Sequence, residues 1–259
     1  MAPDRILAQA RFLRREAFVE GKERVFLSLE EAIDAIKTDF NQYPPQKRLF
    51  MELCPLILGP DIRVADDSRG RGLWISAPAR AGRVARMQSI TVSGLGMMLA
   101  DALEKSPPAC GVMAEICRRT FEIPAEVTGA RASKPAGILL HMDMEGFRCR
   151  QCGACCRALN YRHEISDADY MRWKLMGRFD IMERVAVITR RGRAVSQAAW
   201  VEPGTLRFAE VCPWLVPAGP EGRQKRWICR IHGVKPAICR EYPGTKKHAR
   251  MTSCRGFDD

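Results

Sequence analysis

The sequence predicts an α+β protein: a helix-rich N-terminal region with a small hairpin, then an irregular α+β domain built around cysteines. Three observations carry that prediction. Apolar residues recur at helical spacing through most of the first half. The period turns extended only between about residues 62 and 92. Eight of the eleven cysteines then fall in the last 111 residues, where helical stripes are short and turn residues frequent. These features divide the chain into a region 1–135 and a cysteine-rich domain 136–259.

In order along the chain, Asp4 is placed to cap a first helix over about 5–20, with Ile6, Ala10, Leu13 and Ala17 on one face. Ser28-Leu-Glu-Glu31 is a capping box, and Leu29, Ile33, Ile36 and Phe40 then form one stripe. Pro44-Pro45 separates that helix from the next, which carries Phe50, Leu53 and Cys54 until Pro55 and Gly59-Pro60 stop it. Cys54 sits in an apolar run and reads as a small buried hydrophobe. Ile62, Val64 and Leu73-Trp-Ile75 flank the turn-rich 66–72, which predicts a hairpin. A strand over 88–92 leads through Ser93-Gly94-Leu-Gly96 into a helix over 97–105. Strand, glycine turn and helix is the setting of a phosphate-binding loop, but the third glycine position, 99, is leucine, so a packed turn is favoured. Val112, Met113, Ile116, Cys117 and Thr120 share a face of a helix over 110–122, and packing is favoured for Cys110 and Cys117. Residues 124–135 read as a linker, followed by a strand at Ile138-Leu-Leu140.

Phe147-Arg-Cys149-Arg-Gln-Cys152-Gly-Ala-Cys155-Cys156-Arg157 then places four thiols within eight residues. A C-x2-C step lets two sulfurs face one centre across a tight turn while backbone N–H groups offset the thiolate charge. Gly153 suits such a turn, which needs positive φ and close backbone approach. Two consecutive steps, 149–152–155, match the way bacterial ferredoxins hold three corners of a four-iron cluster. The neighbouring Cys156 departs from that spacing: adjacent side chains diverge, so it serves a second metal or remains free. Cys212, Cys229, Cys239 and Cys254 supply later ligands, giving eight thiols in all, enough for two tetrathiolate centres or one multinuclear one.

These residues carry a resemblance. The aromatic-led Cys149–Cys156 block, the C-P-aromatic-L at 212–215 and the C-x-I-x-x-x-K/R-P-x-x-C-R-x-Y/F-P run at 229–243 resemble the CxxCxxCC cysteine-cluster family, the YkgJ-type proteins, described as zinc- or iron-chelating. The resemblance covers about 141–259. It implies a metal or iron–sulfur domain with eight ligating cysteines; some relatives are linked to lysine methylation of flagellin, and many are labelled iron–sulfur oxidoreductases.

Around the cysteines, Ser166-Asp-Ala-Asp169 caps a helix bearing Tyr170, Trp173 and Leu175, and 185–188 with 194–201 form a hairpin that would shield the site. Trp200, Trp214 and Trp227 are read as the apolar wall of the site rather than a base-stacking platform. Arg157 and Arg240, each following a cysteine, are expected to neutralise thiolate charge or pair with carboxylates. His232 has ligand-like spacing from Cys229, with packing favoured; His163, beside Glu164, is a weaker proton-donor candidate; His141 and His248 carry no signal.

Bulk composition bounds the partners. The hydrophobic share of 46% with 28% charged residues is ordinary for a globular protein, and no apolar run approaches the ~18 residues of a membrane span. The first residues lack the apolar core of a secretion signal, and an odd cysteine count argues against a complete disulfide framework, so a reducing cytoplasm is expected. The formal charge is +12, and two tetrathiolate centres of charge −2 each would leave about +8. A solvated basic surface is the plain reading; an acidic or redox protein partner comes next, with nucleic acid open but not favoured. The function expected is an iron–sulfur protein, with one or two 4Fe–4S clusters, acting in electron transfer or as an oxidoreductase. The alternatives are a structural zinc module that binds protein or nucleic acid, and a lysine-methylase-like transferase.

Overall fold

A computed structural model describes residues 16–19, 22–67, 72–76, 87–129, 136–158, 165–190, 193–205, 207–219, 226–240 and 242–258. The architecture is α+β, with helices and several small antiparallel sheets. The chain divides into two compact units, one formed chiefly by Glu23–His141 and one chiefly by Met142–Asp259.

Strands β1 (Glu16–Val19) and β2 (Lys22–Leu27) are neighbours in a four-stranded sheet of order β1-β2-β7-β6. The helix expected over 5–20 is therefore corrected at its end: residues 5–15 lie outside the described residues, and 16–19 are strand. Pairing with β2 decides the conformation there, against a weak helical pattern that carried β-favouring Phe18 and Val19. Ser28 caps α1 (Leu29–Gln42), with the full reciprocal box to Glu31, and Ile33, Ile36 and Phe40 turn inward. Helix α2 (Lys47–Ile57) buries Phe50, Leu53 and Cys54 and continues two residues past Pro55, which falls in its last turn. Strands β3 (Arg63–Asp66), β4 (Leu73–Ser76) and β5 (Met87–Ile90) form the expected antiparallel hairpin and its third strand. Residues 68–71 of its turn lie outside the described residues.

Thr91 caps α3 (Val92–Lys105). Gly94 and Gly96 thus sit inside the helix, which corrects the expected glycine turn and the later start at 97. The reason for glycine at 96 is packing. A Cβ there would stand 2.7 Å from Phe50 Cε2, and Phe50 is locked edge-on against Phe40 at 4.8 Å. Helix α4 (Cys110–Phe121) buries Met113, Ile116, Cys117 and Thr120 as expected. The expected linker at 124–135 is instead strand β6 (Ala125–Thr128) in its described part, paired with β7 (Gly137–Asp143). Its remainder, 130–135, lies outside the described residues. Ladder bonds to a strongly apolar neighbour outweigh the polar composition on which the linker reading rested.

The second unit is less regular. It comprises α5 (Ala154–Ala158), α6 (Asp167–Leu175), α7 (Phe179–Met182), the hairpin β8 (Val185–Arg190) and β9 (Arg193–Ala199), and the short pair β10 (Leu215–Pro217) and β11 (Trp227–Cys229). A 3-10 turn (His232–Val234), α8 (Ala237–Arg240) and α9 (Lys246–Met251) follow. Residues 191–192 of the hairpin turn lie outside the described residues. The core is small: Ile165, Trp173, Ile181, Val185, Ala199, Trp200, Cys212 and Ile231. The hairpin thus shares its buried face with a cysteine. Among the described residues no helix is long and apolar enough to cross a membrane.

The α2–α3 contact gives a test. Gly96→Val should cost about 1–3 kcal/mol by overpacking, read from denaturant unfolding. Adding Phe50→Leu to make room should recover part of that loss; if it makes matters worse by the full additive amount, the steric account of Gly96 is wrong.

Candidate metal centre

The Cys149–Cys156 block is stitched by backbone bonds to the segments that bear later cysteines. Arg148 N–H donates to Gly256 O at 2.8 Å, Trp227 N–H to Gln151 O at 2.8 Å, and Cys212 N–H to Cys156 O at 2.8 Å. Arg150 adds a guanidinium bond to Asp258 O at 2.5 Å, and Phe147 tilts against Phe257 at 5.3 Å. Pairing of β10 with β11 sets Cys229 opposite Leu215, and Arg230 N–H reaches Trp214 O at 2.9 Å. Segments over a hundred residues apart are thereby brought to one place. The turn between Cys152 and Cys155 needs the glycine anticipated there: Gly153 has φ +70, and a Cβ would crowd Leu215 and Trp227 at 3.2 Å.

The sulfurs form two neighbouring groups. In the first, Cys152 and Cys254 are hydrogen-bonded through their side chains, and Cys155 lies close enough to act electrostatically on Cys152 and Cys229. In the second, Cys156 is hydrogen-bonded to Cys212 and feels the charge of Cys239. Cys155 Sγ and Cys156 Sγ, 3.9 Å apart, join the groups. Cys149 is exposed, and among the described residues no thiol contact links it to the other seven. Among the described residues, no group of three or more His, Cys, Asp or Glu side chains stands where it could hold a metal ion.

Backbone amides are aimed at these sulfurs in a repeated pattern. The N–H two residues downstream donates to Cys152 (from Ala154), to Cys229 (from Ile231) and to Cys254 (from Gly256). Cys152 receives a second amide, from Arg255, and Tyr242 donates its hydroxyl to Cys254. Such donors stabilise thiolate. Burial opposes them at Cys152, yet the net effect lowers that thiol below its ordinary value. Elsewhere crowding wins. Cys155 is raised by its hydrogen bond to Cys156, by burial and by the nearby sulfurs. At Cys156 the bond from Cys155 favours ionisation, but Cys212, burial and Cys239 outweigh it and the thiol is raised. Burial, chiefly, raises Cys229 and Cys254.

Cys239 is positioned by a carboxylate whose second task the sequence hid. Asp169, 3% exposed, caps α6 through Ser166 as expected. Its Oδ2 also accepts Ala237 N–H at 2.9 Å, at the start of the helix that carries Cys239. Arg172 (3.1 Å) and Arg240 (3.5 Å) close on Oδ1, and both donate to Lys235 O. Arg240 thus pairs with a carboxylate, one of its two expected roles. Arg157 takes neither: it donates to Cys152 O at 3.0 Å and stacks 4.4 Å over Trp227. The sequence signal for Asp169 was only an acid at a cap, with a basic residue three positions on.

Of the expected aromatic wall, Trp200 and Trp214 come together and Trp173 joins them, whereas Trp227 stacks under Arg157 instead. Trp173 and Trp200 lie 6.0 Å apart, and Trp200 meets Trp214 edge-on at 6.0 Å. His232 is exposed on the 3-10 turn, and His141 pairs with Glu126 at 2.9 Å. His163 and Glu164 lie outside the described residues. His248, read as carrying no signal, is half-buried against Tyr242 at 4.8 Å, and desolvation holds its imidazole down at about 4.

Residues 148–255 match the model of the CxxCxxCC family, described as "Putative zinc- or iron-chelating domain". Over these residues the chain is similar to the CxxCxxCC domain. No curated protein and no solved structure matches the chain. The donor set of this region fits a thiophilic metal on its own chemistry. Grouped, partly buried thiols cannot ionise together without a cation, and amides are already turned toward three of them. The domain is a metal-chelating cysteine cluster.

Asp169→Ala should strip the α8 amide and two guanidinium groups of their common acceptor. The expected loss is about 3 kcal/mol of stability and roughly 10-fold in metal affinity. Denaturant unfolding and chelator competition measure the two. Asp169→Asn should fall between the variants' extremes, since it keeps one acceptor; a metal affinity unchanged in both would detach Asp169 from Cys239.

Proposed function

We propose that the cysteine-rich domain holds iron–sulfur chemistry, one or two clusters of the four-iron type, and exchanges electrons with an acidic protein partner. The observation that supports this best is the junction of the two sulfur groups. Cys155 and Cys156 are chain neighbours with sulfurs 3.9 Å apart, one facing Cys152 and Cys229, the other Cys212 and Cys239. Ligand sets joined through one peptide give electrons a short path between centres. A purely structural pair of zinc sites gains nothing from this proximity and bears the mutual repulsion of two anionic centres.

Iron–sulfur centres supply one-electron exchange without a change of ligands. The chain contributes the rest. Cys152, Cys155, Cys156, Cys212, Cys229, Cys239 and Cys254 are the core of the ligand set, with exposed Cys149 as the eighth. Amides of Ala154, Ile231 and Gly256 balance thiolate charge, and the tryptophan wall keeps water out. The charge of +12 favours an acidic partner through steering and complementarity. Burial of Trp173 and Trp200 leaves neither free to stack on bases, which favours a protein over a nucleic acid.

One observation favours the second reading, structural zinc. Amide-to-sulfur turns at Cys152, Cys229 and Cys254 would serve a tetrathiolate zinc ion equally well. Iron, zinc and acid-labile sulfide content, with a visible spectrum on protein purified without oxygen, separates the two. Brown protein with matched iron and sulfide is expected; colourless protein with stoichiometric zinc would overturn the redox reading.

Within either metal reading, Cys152→Ser and Cys212→Ser should each release at least half of the bound metal and loosen the domain, because binding and folding are coupled. Cys149→Ser should release less than either. Metal analysis after gel filtration checks the order.

A further inference from the structure

Among the described residues, three buried donors in the second unit have no acceptor: Arg172 Nε, whose guanidinium is otherwise held through Nη2 by Asp169, Val234 O and Lys235 O, and the indole Nε1 atoms of Trp200 and Trp214. Indole N–H can only donate, and a buried donor left unpaired costs about 1–3 kcal/mol. The other core tryptophan shows the normal solution: Trp173 Nε1 gives its proton to Val234 O at 2.7 Å. Two orphans side by side, in rings 6.0 Å apart, are a different matter. Trp200 is 1% exposed and belongs to the same buried cluster as Cys212. Trp214 packs against that cluster together with Cys156, Cys229 and Cys239, and lies two residues beyond Cys212. The polar atoms these residues bring into the cluster are mainly sulfur.

The two sulfur groups differ in how donors reach them. In the group of Cys152 and Cys254, with Cys229 beside it, the backbone turns an amide to each sulfur. In the group of Cys156, Cys212 and Cys239, Cys212 commits its own N–H to Cys156 O, and Cys239 commits its own to Pro236 O. A neutral thiol is a weak acceptor, whereas a metal-bound thiolate or an inorganic sulfide is a strong one. No sulfur among the described residues already lies within hydrogen-bond geometry of either indole N–H.

We propose that Trp200 and Trp214 donate their indole N–H groups to the metal-bound sulfurs of the Cys156, Cys212 and Cys239 group. They are positioning and tuning residues for that centre. The inference rests on the metal-binding reading. It adds a role for the wall beyond exclusion of water: each N–H···S bond stabilises the more negative state of the centre, which tightens a thiolate site and, in a cluster, favours the reduced form.

The test is made on full-length protein labelled with 15N and reconstituted with 113Cd, an ion that replaces zinc or iron in thiolate sites. The five indole N–H signals are assigned with single Trp→Phe variants. On loading, the Trp200 and Trp214 signals should move and show coupling to 113Cd through the hydrogen bond, whereas that of Trp173, held by Val234, should show none. Trp214→Phe should bind the same number of ions about tenfold more weakly in chelator competition. Stoichiometric loading with neither indole coupled or shifted would overturn the inference and leave metal binding intact. Failure of the native protein to take up cadmium would instead sink the metal reading beneath it.

Discussion

Mutual repulsion of thiolates governs this half of the chain. Seven sulfurs are drawn into two touching groups, where Cys156 makes Cys155 harder to ionise, and Cys212 and Cys239 outweigh the opposing bond from Cys155 at Cys156. Burial adds to the penalty, and only the amides turned on Cys152 reverse it. A cation resolves the conflict at once, since it stabilises every thiolate it touches. Metal is thus the missing electrostatic partner of a fold whose own core, eight buried residues with a fringe of half-buried ones, is small. The backbone stitches at Arg148, Gln151 and Cys156 bring the groups together; the ion makes their togetherness favourable.

The other cysteines show the contrast. Cys54 and Cys117 are fully buried in the first unit, and burial alone pushes them up to about 11 and about 12. Cys54 spends its S–H on Phe50 O at 3.1 Å, as a small hydrophobe with one weak donor would. No amide is described as turned toward either sulfur. What sets Cys54 and Cys117 apart from the clustered thiols is thus the company the sulfur keeps, not its depth: neighbouring sulfurs, with amides at Cys152, Cys229 and Cys254.

Much of the cysteine domain was legible because its chemistry is short-range in sequence. A C-x2-C step dictates its own turn, so Gly153 and the amide-to-sulfur bonds could be read from spacing. The capping serines at 28 and 166 and the stripe on α1 were legible for the same reason. What escaped depends on pairing across long separations. Strand β1 forms because β2 is beside it, and Ala125–Thr128 forms because β7 offers a ladder. Gly94 and Gly96 resembled a loop until Phe50, more than forty residues earlier, supplied the reason for one of them. Asp169 was visible as a cap, but its bond to Ala237 spans 68 positions and leaves no local trace.

That bond also explains how an irregular domain can hold a defined site. Helix α8 has four residues, too few to be stable alone, and it carries Cys239. Asp169 anchors its first free amide and holds Arg240 from its last turn, while Arg172 and Trp173 tie the preceding loop through Val234 and Lys235. Cys239 is therefore fixed by α6, a helix with its own cap and a fully buried tryptophan. Rigidity is borrowed from a neighbouring element. The same logic applies to Cys212, whose amide is held by Cys156, and to Cys229, placed by the β10–β11 pair. Each of these cysteines is positioned by a partner distant in sequence, so the two sulfur groups arise only when the whole second unit has folded.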